Sequence, residues 1–208
     1  MNSFAFLEKS ARQWPDTVAL LQGEESYTYS QFRERALAIG GNFLALGCKE
    51  GDRVAFCLAN SPRILEVVFG CFAAGLVVVP INARLHAREM AYIVENSGAK
   101  ILVHGPEFAE GITAHADLFG GLTHKISTDA FDALLNPANR LPNAVDAAPE
   151  DICWLFYTSG TTGKPKGAIW NHRMVRVVIM NYLADLHNIQ PGEMVLHCAP
   201  MSHGSGIV

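Results

Sequence analysis

Short apolar runs alternate with longer stretches of mixed polarity along the first 135 residues of the chain. Three of the runs are largely apolar on both faces, which predicts buried parallel strands. These strands are predicted at residues 53–58, 76–79 and 100–104. Because predicted helices lie between them, the pattern indicates an α/β fold in which helices flank a parallel-rich β-sheet.

The predicted helices begin and end at recognisable residues. Thr28 followed by Gln31 is a capping-box pattern, and Ser61 followed by Pro62 offers an N-cap and a first-turn proline. A third helix is predicted over residues 89–96. Glycine ends a helix readily because it adopts the left-handed conformation that a C-cap needs. The three helices are predicted to end at Gly47, Gly75 and Gly98.

The second part of the chain opens with a connector at residues 136–151, which contains three prolines and no hydrophobic period. After it, the pattern predicts a strand at 152–157, a helix at 174–186 and a further strand at 194–198. We therefore expect a first α/β subdomain at 1–135, a linker at 136–151 and a segment at 152–208 that begins a second sheet. The final residues end without a cap or a charged tail, so we expect this segment to be truncated.

Composition excludes several classes of protein. Half of the 208 residues are hydrophobic and 17% are charged, which indicates a globular protein and argues against disorder. The net charge is −4 and basic residues do not cluster, so a nucleic-acid partner is not expected. Residues 64–81 are apolar, but they contain Glu66, two glycines and Pro80, which argues against a transmembrane segment.

The cysteines and the first residues bear on the cellular compartment. The five cysteines include no Cys-x-x-Cys pair and favour reduced core residues. The first fifteen residues carry Glu8, Lys9 and Arg12, where an export signal would need an unbroken apolar stretch. These observations predict a cytoplasmic protein.

The densest concentration of special residues is TSGTTGKPKG, at positions 158–167, directly after a predicted strand. Its glycines allow successive backbone N–H groups to point at one anion, its hydroxyls donate hydrogen bonds, and its lysines supply positive charge. The segment therefore predicts a polyphosphate-binding loop. The candidate binding residues are Thr158, Ser159, Gly160, Thr161, Thr162, Gly163, Lys164, Lys166 and Gly167.

Two other interpretations of this loop fit the sequence less well. A surface hairpin rich in glycine and threonine would also be polar, but it would not need hydroxyls, glycines and lysines interleaved directly after a buried strand. A P-loop NTPase pattern would need glycine at position 158 and a hydroxyl at position 165. The chain has Thr158 and Pro165 at these positions, so that pattern fails twice.

Residues 157–167, YTSGTTGKPKG, are similar to the phosphate-binding signature of the AMP-forming acyl-CoA synthetases, also called adenylate-forming enzymes. Further resemblances follow the family's order over nearly the whole chain, including YTYSQFRERA and GDRVAFCLANSPRILEVVFGCFAAG. A looser match is APMSHGSG at residues 199–206. The resemblance implies that the chain forms the first part of the family's large N-terminal domain.

The resemblance implies a ligase that acts in two steps on a carboxylic acid, Mg-ATP and coenzyme A. The carboxylate attacks the α-phosphorus of ATP, pyrophosphate leaves, and the thiol of coenzyme A then opens the acyl-adenylate. Lysines beside the β- and γ-phosphates would stabilise the charge that develops on pyrophosphate. By this resemblance Lys166 is a candidate catalytic residue, and the loop closes and reopens during the cycle.

His203 is the second candidate catalytic residue, because the family places an aromatic or histidine side chain here that helps to position the carboxylate. The other interpretations of His203 are a solvated loop histidine and a zinc site with His197 and Cys198. The spacing of these three residues matches no established zinc pattern. No metal-binding residue is therefore assigned.

The resemblance also shows what this sequence lacks. It contains no later tyrosine-glycine-threonine-glutamate segment for magnesium, no aspartate for the ribose and no small C-terminal domain. We therefore expect the isolated chain to be nearly inactive, and its exposed apolar surface to favour self-association into a homo-oligomer. An enzyme that loads a carrier protein and a noncatalytic nucleotide-binding fragment stay open as alternatives, and the identity of the acid is not predicted.

Overall fold

The computed structural model describes residues 1–158, 164–186, 189–190 and 192–203. The helices are α1 (Ala5–Gln13), α2 (Tyr29–Ala45), α3 (Pro62–Ala73), α4 (Ala87–Ser97), α5 (Ala109–Ala114) and α6 (His172–Asn181). The strands are β1 (Val18–Gln22), β2 (Glu25–Thr28), β3 (Arg53–Cys57), β4 (Val77–Pro80), β5 (Ala99–His104), β6 (His124–Ser127), β7 (Ile152–Thr158) and β8 (Lys166–Asn171). Short 3-10 turns follow β5 and β6, and a π-helical turn, Tyr182–Leu186, extends α6.

A six-stranded sheet organises the fold, with the strands in the order β6-β5-β3-β4-β7-β8. Every neighbouring pair is parallel except β7 and β8, which are antiparallel. Strands β1 and β2 form a separate antiparallel pair. The predicted α/β fold with a parallel-rich sheet flanked by helices is confirmed.

The core lies on both faces of this sheet, as the two-residue period of a strand requires. Val54 and Phe56 of β3 pack with α1, α2, α3 and α6, whereas Ala55 and Cys57 pack with α4 and α5. All four side chains are fully buried. Strand β3 is therefore covered on both faces, which explains why its sequence is apolar without alternation.

The helix boundaries follow the local signals in the sequence, with one exception. Thr28 and Gln31 form the predicted capping box at the start of α2. Gly75 and Gly98 follow α3 and α4 with φ angles of 67° and 64°, which confirms both predicted ends. Ser61 occupies the N-cap position of α3, but its side chain makes no capping hydrogen bond.

Two predictions for the second part of the chain are wrong. Residues 194–198 form no strand in the described structure, because they pair with no other described strand and Leu196 is 86% exposed. Strands β7 and β8 do not begin a second sheet, because Trp154 pairs with Val78 of β4 and so joins β7 to the first one. The division of the chain into subdomains stays a prediction.

The connector at 136–151 contains one 3-10 turn, Pro137–Asn139, and packs tightly against α2. The Asn42 side chain donates to the carbonyls of Leu134 and Asn136 at 2.9 and 3.0 Å, and accepts from Asn139 Nδ2 at 2.7 Å. Gly41 lies beside this contact, where a Cβ atom would overlap the carbonyl oxygen of Asn139. The backbone of the connector can therefore approach α2 only because position 41 carries no side chain.

A buried carboxylate ties the β1–β2 pair to the helices. Glu66 of α3 is fully buried and forms ion pairs with Arg35 of α2 and Arg63 of its own helix. Arg63 also pairs with Glu25 of β2 at 3.0 Å, and the Arg35 guanidinium lies 4.5 Å from the centroid of the Tyr27 ring. A buried charge is costly unless it is paired, so the ion pairs with these arginines offset the cost of burying the Glu66 carboxylate.

The first residues of the chain dock onto the start of α6. The backbone N–H of Ser3 donates to His172 Nδ1 at 3.0 Å, and the Ser3 hydroxyl lies 2.8 Å from the same atom. Burial, with the nearby N-terminal amino group, lowers the pKa of His172, while Asp151 opposes this shift. The imidazole therefore stays neutral, and Nδ1 serves as an acceptor.

Four of the five cysteines, Cys48, Cys57, Cys71 and Cys153, are buried, as predicted, whereas Cys198 is exposed. Burial raises the pKa of the Cys57 thiol to about 12, so this thiol is protonated at neutral pH. Within the described ranges, no helix has the length and apolar character needed to cross a membrane.

We expect Gly41→Ala to lower the free energy of unfolding by about 1–3 kcal/mol, because the new methyl group pushes the connector away from α2. Gly111→Ala in α5 is the matched control, since its Cβ would lie 3.4 Å from Ala87 Cβ, an ordinary contact. Urea denaturation measures both variants. Equal stability of the two would contradict this account of Gly41.

The His172 contact predicts a pH dependence of stability. Because the pKa of His172 is lower in the folded chain than its ordinary value of 6.5, the unfolded chain takes up the proton first as the pH falls. The contribution of this contact is therefore present above about pH 6.5 and is lost as the pH falls towards the folded pKa. We expect His172→Gln to have a lower free energy of unfolding than the wild type at pH 7.5. Between pH 7.5 and pH 5.5, we expect this free energy to fall less in His172→Gln than in the wild type.

His115→Gln, which removes a histidine of α5's C-terminal end, serves as the control for this comparison. Urea denaturation at both pH values gives the free energies. The prediction does not survive if His172→Gln and His115→Gln show the same change of stability with pH.

Candidate functional site

The predicted phosphate-binding residues lie at the tip of the β7–β8 hairpin. Thr158, the last residue of β7, pairs across the hairpin with Lys166, the first residue of β8. Ser159, Gly160, Thr161, Thr162 and Gly163 lie in the connection between these strands and outside the described residues. The hairpin topology considered as an alternative and the phosphate-binding prediction are therefore compatible, because the same connection can do both.

Three polar or charged residues at the base of the hairpin face solvent. Thr158, Lys164 and Lys166 are all exposed. Neither lysine forms an ion pair with another residue in the described part of the chain. No described carboxylate therefore neutralises their positive charge.

Helix α4 supports the base of the hairpin through Tyr92 and Asn96. The Tyr92 hydroxyl donates to the carbonyl of Pro165 at 3.4 Å, and Lys164 Nζ lies 5.7 Å from the centroid of the Tyr92 ring. The Tyr157 hydroxyl donates to Asn96 Oδ1 at 2.8 Å. These contacts attach β7 and the residue before β8 to α4.

Gly167 allows the Tyr157 ring to lie across β8. A Cβ atom at position 167 would lie 3.2 Å from this ring, closer than an ordinary van der Waals contact. Burial, with a contribution from Tyr92, raises the pKa of Tyr157, so its hydroxyl stays protonated and donates. Gly167 thus has a packing role, and its contact with phosphate stays a prediction.

The hairpin begins at the edge of the sheet where the parallel strands end. Strands β3, β4 and β7 run in the same direction, so the residues that follow them lie along one edge, which we call the carboxyl edge. Asn60 follows β3, Asn82 follows β4 and Thr158 ends β7. Ligands of open α/β sheets bind outside the carboxyl ends of their strands.

The segment that carries His203 is attached to this same carboxyl edge. Asn60 Nδ2 donates to the carbonyls of His197 and Ala199 at 3.3 and 2.8 Å, and Asn60 Oδ1 accepts from Met201 N at 2.8 Å. His203 N donates to Pro200 O at 2.9 Å, which closes a tight turn. Both sequence motifs, the loop after β7 and the segment before residue 204, therefore start from one edge of the sheet.

A cavity of about 260 Å³ lies between this segment and the loop after β4. Its lining includes Leu58, Asn60, Asn82, Arg84, Cys198 and Ser202. The zinc interpretation of His197, Cys198 and His203 gains no support, since the described residues include no group of three side chains placed to hold a metal ion.

Sequence reasoning missed Asn60, Tyr92 and Asn96. Asn60 could have been noticed, because an asparagine directly after a buried strand lies at the edge where parallel strands end. Tyr92 and Asn96 lie four residues apart on one face of α4, but nothing in their spacing distinguishes a face that meets a hairpin from a solvated one.

The sequence of the chain matches the family model described as "AMP-binding enzyme" over residues 7–208. It is 34% identical to a feruloyl-CoA synthase of Amycolatopsis over 199 residues, which is 96% of this chain and 39% of that protein. It is also 34% identical to the long-chain-fatty-acid–CoA ligase FadD13 of Mycobacterium tuberculosis over 179 residues, 85% of this chain and 35% of that protein. The chain thus spans less than half the length of these relatives.

The fold agrees with these matches. The crystal structure of the N-terminal domain of FACL13 from Mycobacterium tuberculosis aligns with 99% of this chain and 53% of that one, at a TM-score of 0.90 and 30% identity. This likeness confirms the expectation that the chain has the fold of the first part of an acyl-CoA synthetase N-terminal domain. The chain belongs to the AMP-binding enzyme family.

Proposed function

We propose that this chain supplies the triphosphate-binding part of an ATP-dependent acid–thiol ligase, which activates a carboxylic acid as acyl-AMP and transfers the acyl group to coenzyme A. One observation carries the proposal. The family's phosphate signature lies on a hairpin whose base pairs Thr158 with Lys166 at the carboxyl edge of the sheet. Exposed cationic side chains at the base of a glycine-rich connection suit an anionic ligand with several phosphates.

In the first step, an oxygen of the carboxylate forms a bond to the α-phosphorus of ATP as the bond from this phosphorus to pyrophosphate breaks. Pyrophosphate gains negative charge as it leaves, and fixed donors and cations near its oxygens stabilise that charge. In this proposal Lys166, with Lys164, provides the positive charge. The residues proposed to contact the triphosphate are Thr158, Ser159, Gly160, Thr161, Thr162, Gly163 and Lys166.

Magnesium is proposed to arrive with ATP. The described residues offer no cluster of three acidic or histidine side chains for a metal ion, and magnesium is commonly held by substrate phosphates, water and one or two carboxylates. Bound with the triphosphate, the ion would supply positive charge. Lys166 would bind a phosphate oxygen beside it, with Lys164 as a second nearby positive charge.

In the second step, the sulfur of coenzyme A forms a bond to the acyl carbon as the bond to the AMP oxygen breaks, AMP leaves, and the thiol proton passes to water. His203 is proposed to orient the carboxylate for the first step, because it lies in the turn that Asn60 attaches to the carboxyl edge. The relatives are named for feruloyl and long-chain fatty acyl groups, so the proposed substrate class is a carboxylic acid. For this chain alone we propose binding of nucleotide with little turnover.

Mg-ATP titrated calorimetrically into the 208-residue chain should bind, and Lys166→Ala should weaken binding roughly 10- to 100-fold, as expected for the loss of a charged hydrogen bond. Lys125→Ala on β6 is the matched control, because it removes an exposed lysine from a strand four places away from β7 in the sheet. Unchanged affinity in Lys166→Ala, or equal losses in both variants, would argue against the proposed role of the hairpin.

Exchange of labelled pyrophosphate into ATP tests the chemistry. With a carboxylic acid present, exchange that Lys166→Ala abolishes would support adenylation by this chain. Binding of Mg-ATP without exchange would fit the proposal of a binding part with little turnover. The absence of both binding and exchange would contradict the proposal.

A further inference from the structure

We infer that Asn60 is a positioning residue: its side-chain amide fixes residues 197–201, and with them His203, at the carboxyl edge where the phosphate hairpin begins. The inference rests on the proposed function, since it adds the residue that places the carboxylate-binding turn relative to the triphosphate loop. Asn60 lies within the segment GDRVAFCLANSPRILEVVFGCFAAG, but no role follows from that segment alone, and its role is inferred from its contacts.

The Asn60 amide matches the backbone that it binds. Its Nδ2 group donates to the carbonyls of His197 and Ala199, and its Oδ1 atom accepts from the N–H of Met201. A primary amide has both donors and acceptors, so it can satisfy both kinds of backbone group at once. The amide can donate two hydrogen bonds and accept two, and three of these four are made. If the amide were turned by about 180°, its NH₂ group would face the Met201 N–H and its oxygen would face the two carbonyls.

Asn60 is itself held by the sheet. Its backbone carbonyl accepts from Gln22 Nε2 of β1 at 2.9 Å, and Leu58, two residues earlier, is buried in the core. Strand β3, which precedes it, lies between β5 and β4 and is covered on both faces. The amide therefore projects from a rigid part of the fold.

Asn60 and the core hold the segment at neighbouring residues. Residues 192–203 form neither a helix nor a strand, so they have no ladder of backbone hydrogen bonds. Most of them are exposed, but Met201 and Ser202 are buried, and the Met201 side chain packs into the core. The Asn60 hydrogen bonds and the Met201 side chain thus both act on the segment at Met201.

His203 follows that point by two residues. Met201 lies inside the turn that the hydrogen bond from His203 N to Pro200 O closes. A tight turn leaves few backbone torsions free between the Met201 amide and His203. The position of the His203 backbone is therefore set largely by the contact between Asn60 and the Met201 amide.

Two substitutions separate the parts of this contact. Asn60→Ala removes all three hydrogen bonds. Asn60→Asp keeps an acceptor for Met201 N but replaces the Nδ2 donor by an oxygen that faces the carbonyls of His197 and Ala199. Asn82→Ala is the matched control, because Asn82 follows the neighbouring strand and lines the same cavity. Among the described contacts, its side chain bonds only the backbone N–H of Arg84.

Amide hydrogen exchange, resolved by NMR, tests the attachment in the 208-residue chain without nucleotide. We expect the Met201 amide to exchange roughly tenfold or more faster in Asn60→Ala than in the wild type, and at the wild-type rate in Asn82→Ala. In Asn60→Asp we expect an intermediate rate. Wild-type protection of Val54 in β3 shows that each variant is folded, and unchanged exchange of Met201 in a folded Asn60→Ala variant would overturn the inference.

Paramagnetic broadening by Mn-ATP tests the positioning. In the wild type we expect bound Mn-ATP to broaden the amide signals of Lys166 and of Met201 to His203. In Asn60→Ala we expect the Lys166 signal to stay broadened while the signals of 201–203 recover, an outcome that a general loss of stability would not produce.

The outcomes separate this inference from the function on which it rests. Broadening at Lys166 without broadening at 201–203 in the wild type would overturn the role of Asn60 and leave the proposed function standing. No broadening at Lys166 in the wild type would overturn the proposed function, and the positioning role with it. Equal broadening of 201–203 in the wild type and in Asn60→Ala would also overturn the role of Asn60.

Discussion

Burial of the central strands on both faces is the constraint on which the rest of the structure depends. A strand such as β3, with Val54 and Phe56 on one face and Ala55 and Cys57 on the other, must be covered by helices on both sides. Helical crossovers return the chain to the same end of the sheet, so successive strands run parallel and finish at one edge. The carboxyl edge, with Asn60, Asn82 and Thr158, follows from that arrangement.

Strand β8 runs antiparallel to β7, and this reversal determines how the loop between them is connected. An antiparallel strand can follow its neighbour through a short connection, whereas a parallel one needs a long crossover. The chain thus passes from β7 to its neighbour β8 through a short glycine-rich connection. Tyr157 before this connection bonds Asn96 of α4, and Pro165 after it bonds Tyr92 of α4. A base held by α4 suits a loop proposed to surround a triphosphate.

Features that depend on neighbours in sequence were predictable, and features that depend on distant partners were not. The capping box of Thr28 and Gln31 and the left-handed Gly98 are local, and the structure has both. The pairing of Trp154 with Val78 joins positions that no local pattern connects, so the sequence suggested a separate sheet. The apolar run at 194–198 resembles a strand, but a strand also needs a partner that the run does not carry in itself.

Within the site, the glycines, hydroxyls and lysines of the loop are adjacent in sequence, so a local pattern could suggest phosphate binding, which stays a prediction. The place of Asn60 after a buried strand was visible in the sequence, but its partners were not. They are backbone groups 137 to 141 residues away, and backbone groups leave no mark in the sequence. The importance of Asn60 becomes visible only when the chain is folded.

The contact between Ser3 and His172 joins residues 169 positions apart. During synthesis on the ribosome, Ser3 emerges long before α6 does, so its contact with His172 can form only after most of the chain has been made. Phe4 can pack earlier, because its ring neighbour Phe69 lies in α3. Completion of the N-terminal contact therefore depends on the order of translation as well as on the strength of its hydrogen bonds.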